Sequence, residues 1–467
     1  MDGHECTEIL FSQLNAEFRI DAEYFYKANL QMQALIKSKP HMAIGDIGVV
    51  TDGIHTSIDY DEGSGINLIS ATSPRQNVFN LTRNAYISEA AHLANPRTAL
   101  RENDVILSTV GTIGNCAVVD ADMLPANSDR HVGIIRLNST INAYVLSTFL
   151  LTKYGRNQTV RETTGNVQPN LFLYKIREII VPTFDIGFQN TVQKAVLKAQ
   201  GLLKASDMAY ANAEEMLEKE IGIDMSSITN GGVSVKSFFE SFGITGRLDA
   251  EYYQPKYDDF ERHVLNYKDG YTTPGNEFEL IKAKCTRDLE SYPYIEIGDI
   301  DIGNGSAEYN VVSTKDLPAN AKIMTQTGDL LVSTVRPYRG AVAILGTNNL
   351  LVSGAFTVLR PKSNYPAQTL QVLFRTKLYK DWLLKFNAGT SYPVIKDDDV
   401  LNVPVPILKD DIHIKITNYV KISHEILNRA KVLLECAKTA IEMAIEQDEK
   451  TANDWLNGKI TELTKED

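Results

Sequence analysis

The sequence is short of almost everything that marks a specialised chain. Its 467 residues include four cysteines, Cys6, Cys116, Cys285 and Cys436, scattered without a CxxC pair, so neither disulfide bridges nor a structural metal is expected. The 29 glycines and 16 prolines are too few for a low-complexity or collagen-like polymer. Nowhere do the roughly 18 consecutive apolar residues of a membrane-spanning helix occur, and the N-terminal stretch MDGHECTEILFSQLNAEFRIDAEYF lacks the basic start and apolar core of a signal peptide. The expectation is a cytoplasmic protein with no membrane contact. Positive charge is also scarce: 47 Lys plus Arg against 59 Asp plus Glu leave a net charge of -12. That balance argues against a surface that coats nucleic acid non-specifically, but leaves room for a local basic or polar cleft.

The signatures of catalysis are missing too. No GxxxxGK[ST], HExxH or GxSxG occurs, and no His/Cys cluster has zinc spacing. There is no Asp/Asn-Pro-Pro-aromatic string of the sort with which amino-methyltransferases hold a flipped base: Asn95-Pro96 is followed by Arg97, and Pro337-Tyr338 is preceded by Arg336. A non-catalytic chain, with no cofactor or metal of its own, is expected.

What the sequence does have is an internal duplication, the first thing to search for because a missed repeat mis-assigns the fold. FRIDAEYFYK (Phe18 to Lys27) returns as GRLDAEYYQPKY (Gly246 to Tyr257), with Arg19 matching Arg247 at an offset of 228. ENDVILSTVGTIGNCAVV (Glu102 to Val119) parallels TGDLLVSTVRPYRGAVAI (Thr327 to Ile344) at 225, pairing Asp104 with Asp329. TTGNVQPNLFLYKIREIIVP (Thr163 to Pro182) parallels NAGTSYPVIKDDDVLNVPVP (Asn387 to Pro406) at 224. Three collinear matches with so little drift make the chain a tandem duplication.

Within each half, short Val/Ile/Leu/Thr/Tyr runs broken by Gly, Asn, Asp and Pro read as strands. After the IIVP and VPVPIL strands the period turns helical. Val192, Val196, Ala199, Leu203, Ser206, Tyr210, Ala213 and Leu217 fall at alternating steps of four and three, and Ile416, Val420, Ser423, Leu427, Ala430, Leu434, Ala437 and Ile441 repeat the stripe. A helix of 30 to 35 residues spans roughly 45 to 50 Å, too long to bury its stripe in a small β-domain. Two independent amphipathic helices would satisfy the pattern; matching narrow seams favour antiparallel pairing of one helix with the other. The expected fold class is α+β: β-rich domains at 1–185 and 223–409, long helices at 186–222 and 410–450 paired as an antiparallel coiled coil, and a tail at 451–467.

Polar loops carry what chemistry there is. GIHTSIDY presents His55, Thr56, Ser57 and Tyr60, and SPRQN presents Arg75, Gln76 and Asn77. Arg, Asn and Gln have the forked donors and acceptors that read guanine and adenine edges in the major groove. GTIGN adds Thr112 and Asn115. In the second half STVRPYRG presents Arg336, Tyr338 and Arg339 directly after a strand, a basic-aromatic cluster suited to phosphate and base contacts. The loops TGNVQPN and AGTSYP offer Asn166, Gln168, Ser391 and Tyr392 behind Gly165 and Gly389, glycines read as left-handed or as permitting close backbone approach. Each loop alone is also explained as a solvated turn.

Taken in order and in duplicate, the [FG]R[IL]DAEY[FY] segment, the strings Gly45-Asp46-Ile47 and Gly298-Asp299-Ile300, NDVILSTVGTIG and GDLLVSTVRPYRG, TGNVQPNL and the two helices resemble the DNA-specificity subunit of type I restriction-modification systems. The resemblance covers nearly the whole chain, from about Phe18 to the second helix; the tail after Ile441 lies outside the repeat. It implies two target-recognition domains, each reading half of a split double-stranded DNA site, on two helices that also bind two methyltransferase (modification) subunits. S-adenosylmethionine would sit on those partners, and restriction or motor subunits would be optional additions. The first half has GTIGN where the second has RPYRG, and SPRQN lacks an obvious counterpart, so the domains are expected to read different sequences. The acidic balance suggests that partners supply much of the non-specific DNA affinity. The competing readings are an enzyme of unrecognised type and a protein-binding scaffold of two β-domains on a coiled coil without DNA readout.

Overall fold

The computed structural model describes residues 7–14, 18–82, 84–138, 141–164, 169–223, 225–229, 231, 233–389 and 391–465. They form two compact units, one made of Met1–Leu203 with Asn428–Asp467, the other of Lys204–Leu427.

In the first unit a four-stranded antiparallel sheet has the order β2-β8-β5-β6, from Gly48–Asp52 (β2), Val132–Leu137 (β8), Val105–Ser108 (β5) and Cys116–Val118 (β6). A smaller sheet runs β4-β3-β7, from Ala85–Tyr86 (β4), Asn67–Ile69 (β3) and Ala126–Ser128 (β7), with β3 and β7 parallel. His41–Ala43 (β1) pairs with Ile180–Pro182 (β9).

The second unit repeats this frame. Phe278–Leu280 (β11), Phe356–Pro361 (β18), Leu330–Ser333 (β15) and Val342–Ile344 (β16) form the sheet β11-β18-β15-β16. Asn310–Ser313 (β13), Ser291–Ile295 (β12) and Leu351–Ser353 (β17) repeat the small sheet, including its parallel β12–β17 pair, and gain a fourth strand, Ala321–Met324 (β14). Tyr271–Thr272 (β10) pairs with Val405–Pro406 (β19) as β1 does with β9. One expected equivalence fails. Gly45-Asp46-Ile47 lies in the short helix Ile44–Ile47 that links β1 to β2, and the element linking β10 to β11 is Pro274–Glu277. Gly298-Asp299-Ile300 instead follows β12.

Both central strands read as continuous apolar runs because both of their faces are covered. Alternation sorts the side chains. Val105 and Leu107 enter the core that faces the helices, while Ile106 enters the core under the small sheet. Leu330 and Val332 divide from Leu331 in the same way. At the mouth of each central strand a buried aspartate, Asp104 or Asp329, takes a two-pronged hydrogen bond from an arginine on the neighbouring strand. Arg136 Nε and Nη2 reach Asp104 at 2.8 and 2.6 Å, and Arg360 Nε and Nη2 reach Asp329 at 2.8 and 2.9 Å. Each carboxylate also accepts a backbone N–H, from Arg101 at 2.9 Å and from Gln326 at 2.8 Å. A buried carboxylate needs such partners, and this duplicated clasp supplies them.

The long helices span Ile186–Ile221 and Asp410–Glu446. In the first unit the start of one and the end of the other share a core, through Val192, Val196 and Ala199 with Leu434, Ala437 and Ile441. In the second unit Tyr210, Ala213 and Leu217 share a core with Ile416 and Val420. Opposite order along the chain makes the pairing antiparallel. Leu427 is buried as well, whereas Leu203 is only partly so. Ser206 and Ser423 are fully buried, and Ser206 Oγ donates to the Ser423 carbonyl at 2.8 Å; a polar pair of this kind fixes register in an apolar seam. The stretch after Ile441 continues into a further helix, Glu449–Leu463, which Asp448 caps by accepting from Thr451 N–H at 2.9 Å. Its Ala452, Leu456 and Ile460 complete the first unit's core.

Candidate nucleic-acid interface

Most of the expected site residues that the structure describes lie in exposed or partly exposed loops. In the first unit His55, Thr56, Ser57 and Tyr60 are exposed after β2. His55 Nε2 bonds Asp52 Oδ2 at 2.5 Å, and Arg97 Nη1 reaches Asp52 Oδ1 at 3.1 Å. Burial alone would raise the Asp52 carboxyl, yet the hydrogen bonds from His55 and Arg97 hold it below its usual value. Arg97, which motif reading passed over, thereby joins this exposed polar group.

Arg75 and Gln76 leave the tip of a tight turn. Arg75 N–H donates to Val78 O at 2.9 Å, and Arg75 O accepts from Cys116 N–H at 3.1 Å. Both side chains are exposed, but Gln76 Oε1 accepts from Lys438 Nζ at 3.0 Å. Thr112 and Asn115 come to the same place. Thr112 Oγ1 donates to Ala71 O at 2.7 Å, and Asn115 Oδ1 accepts from Arg156 Nη2 at 2.6 Å. Asn77 does not belong among base readers. It is 1% exposed, and its side chain is engaged inside the unit: Nδ2 donates to Thr148 Oγ1 at 3.0 Å while Oδ1 accepts from Ser147 Oγ. Buried in this way, it cannot reach a base edge. Asn166 and Gln168 lie outside the described residues.

In the second unit two expected loops converge. Arg336 adopts a left-handed backbone at φ 52°, its N–H donates to Pro393 O at 2.8 Å, and its guanidinium lies 5.5 Å from the centre of the Tyr392 ring. Tyr338, Ser391 and Tyr392 are exposed and Arg339 half-buried. This is a cation-π pair with an open aromatic face beside further basic charge, an arrangement that suits a polyanion carrying stackable bases. Gly389 is required by the loop itself, since a Cβ there would lie 2.0 Å from Tyr392 O.

The repeated Arg-x-Asp segment supports these loops rather than facing a ligand. Arg19 and Arg247 each hold their own aspartate, Asp21 and Asp249, through two hydrogen bonds of 2.6 to 3.0 Å. Arg19 then donates to Arg161 O at 3.0 Å, and Arg247 to Asn387 O at 2.8 Å, just before the two glycine loops. The hydrogen bond to Arg19 is the main reason why Asp21 is held below the usual carboxylate range, and Arg247 does the same for Asp249. Among the described residues no group of three His, Cys, Asp or Glu side chains is placed to hold a metal, and no helix is long and apolar enough to cross a membrane.

No family model matches the sequence. A 130-residue segment is 30% identical to the type I restriction enzyme HindI specificity subunit of Haemophilus influenzae, taking in 25% of this chain and 28% of that subunit. Among solved structures, the S subunit of a type I restriction-modification system from M. genitalium aligns over 89% of this chain and 95% of its own, with 12% identity and a TM-score of 0.40. The HsdS subunit from Thermoanaerobacter tengcongensis aligns over 87% and 96%, with 13% identity and a TM-score of 0.29. Over the 130-residue segment the chain is similar to a specificity subunit of a type I restriction enzyme, of whose length it matches little more than a quarter.

Proposed function

We propose that the chain is a cytoplasmic, non-catalytic specificity subunit that reads a bipartite site on double-stranded DNA and brings two methyltransferase subunits to it. S-adenosylmethionine would be carried by those partners, and motor or restriction subunits would join the same complex. One observation carries this reading: the two units share one frame, down to the Asp104–Arg136 and Asp329–Arg360 clasps, while the loop after the equivalent central strand differs, GTIGN against RPYRG. A repeated scaffold with divergent loops is what two unlike half-sites require of one chain. Arg75, Gln76, Thr112 and Asn115 with the His55 loop would serve one half-site, and Arg336, Tyr338, Arg339, Ser391 and Tyr392 the other.

The test is selection from a randomised duplex library by the full chain together with its modification subunits. Two short fixed sequences at a constant separation are expected; a single motif, or none, overturns the proposal, and protein capture without DNA selectivity favours the scaffold. Arg75→Ala should then weaken discrimination at one half-site and Arg336→Ala at the other, each by about 1 to 3 kcal/mol if a base edge is contacted. Equal loss on every sequence would mean phosphate contacts instead.

A further inference from the structure

Asn77 is buried in the first unit, and the second unit holds a buried asparagine in the corresponding place. From Leu68 on β3, which pairs in parallel with β7, nine residues lead to Asn77. From Ile295 on β12, which pairs in parallel with β17, nine lead to Asn304. Asn304 is 5% exposed. The offset between the two is 227, close to that of the other repeats.

Both loops are gripped from below and from the side. Under the first loop, Ser147 and Thr148 of the helix Ala143–Leu151 engage the Asn77 side chain. Under the second, Gln371 of the equivalent helix Ala367–Arg375 reaches up, donating through Nε2 to Gly305 O at 2.8 Å. Ser147 and Gln371 are 224 apart, the repeat offset of this region. The long helices supply the lateral grip. Gln200 Nε2 donates to Asn77 O at 2.8 Å, and His424 Nε2 to Asn304 O at 3.4 Å. Gln200 and His424 are again 224 apart, so equivalent positions on the two long helices hold the same backbone carbonyl of equivalent loops. The left-handed backbone of Asn77, at φ 62°, is one that asparagine tolerates better than most residues.

We infer that Asn77 with Gln200, and Asn304 with His424, are matched pairs of positioning residues, each tying the loop after its unit's parallel strand to a long helix and so governing selectivity at one half-site only. The inference rests on the proposed function and assigns it a mechanism: the helices set where the reading loops stand, as well as carrying the units. It also supplies the counterpart that Arg75-Gln76-Asn77 lacked, namely Ile302-Gly303-Asn304. Burial, then the nearby Asp301 carboxylate, push Asp207 on the first long helix above its usual value, while a hydrogen bond with Asn304 opposes them. Two carboxylates, Asp207 and Asp301, thus stand near the second loop, where Arg375 Nη2 also donates to Ile302 O and Gly303 O at 2.9 and 2.7 Å.

The test uses the full chain with its modification subunits and the half-sites defined by selection from the duplex library. Gln200→Ala is expected to lower discrimination at one half-site by tenfold or more and leave the other intact, and His424→Ala to do the converse. The exchanges Gln200→His and His424→Gln, which keep an Nε2–H donor, should restore wild-type selectivity. Asn77→Gly keeps the left-handed backbone without the side chain and should resemble Gln200→Ala. Amide hydrogen exchange read over residues 73–80 and 299–306 reports the lock without DNA, and protection should fall only in the loop whose pair is cut. Unchanged protection overturns the lock; lowered protection with unchanged selectivity overturns its role in reading, as does equal loss at both half-sites. A wild-type complex that selects no bipartite site would instead overturn the proposed function, with the exchange data still deciding the lock.

Discussion

The two units are built alike and finished differently. Each central strand is buried on both faces, each begins at an aspartate clasped by an arginine one strand away, and each Arg-x-Asp arginine donates to a distant backbone carbonyl, of Arg161 or of Asn387. The divergence lies in chemistry at the loop tips and in how those tips are fastened. In the first unit a loop side chain, Asn77, reaches down to hydroxyls on the helix; in the second a helix side chain, Gln371, reaches up to a loop carbonyl, that of Gly305. A fold can tolerate that exchange because a buried polar group needs a partner of the right polarity and does not need a particular residue type. The frame is constrained by core packing, and the tips are left to vary.

The strongest way to probe the comparison is to alter what the units share. Ser206 and Ser423 face each other with Oγ atoms 3.1 Å apart. A seven-residue heptad inserted after each keeps the seam in register and lengthens both helices by about 10 Å. If the helices set the spacing of a bipartite site, the spacer grows by roughly three base pairs at 3.4 Å each, with both half-sites unchanged. Modified-base sequencing of cells carrying the insertion reads this directly. An unchanged spacer with full activity would show that the helices do not measure the distance.

Cutting one clasp should come next in size. Asp104→Ala leaves Arg136 without its carboxylate and the Arg101 N–H without its acceptor, and Asp329→Ala does the same to Arg360 and Gln326. Each is expected to cost about 3 kcal/mol, the lower end for breaking a buried ion pair, since both arginines keep some contact with water. Urea unfolding of the two variants tests whether the costs agree, as the shared geometry requires. A loss in one and none in the other would mean that the repeats are held together differently.

The smallest effect concerns Tyr24, whose ring lies under Arg19 and whose hydroxyl donates to Glu162 Oε1 at 2.7 Å. Burial, then that hydrogen bond, push its phenol up to about 12. A raised value means that the protonated phenol is favoured by folding, so its contribution is complete below the ordinary phenol range near 10 and is lost as pH rises toward 12. Tyr252, at the equivalent place, is shifted in the same direction. Tyr24→Phe should therefore flatten the decline of stability between pH 10 and 12, measured by urea midpoints. An identical slope in wild type and variant would show that Tyr24 does not carry it.

Much of this architecture is legible in the amino-acid order. Strands whose two faces are covered must be apolar throughout, and VILS and LLVS say so. A seam between helices must recur at steps of four and three, and Val192 to Leu217 and Ile416 to Ile441 do so. Asp104 and Asp329 already stand out as paired acids at the head of apolar runs, although their arginine partners lie 32 and 31 residues away and only strand pairing brings them together. The composition of SPRQN, by contrast, misled. Three polar residues side by side read as one surface, but a tight turn sends Arg75 and Gln76 outward and Asn77 into the core.

The sequence by itself determined the duplication, the β-rich frame and the paired amphipathic helices, because burial imposes periodicity on many residues at once and the pattern survives substitution. The tertiary structure alone decided which polar residues are anchors. A backbone carbonyl accepts equally from glutamine and from histidine, and a loop can be held from above or from below. Gln200 and His424, or Asn77 and Gln371, therefore do matching work without looking alike, and only the geometry that puts each donor against its acceptor reveals it.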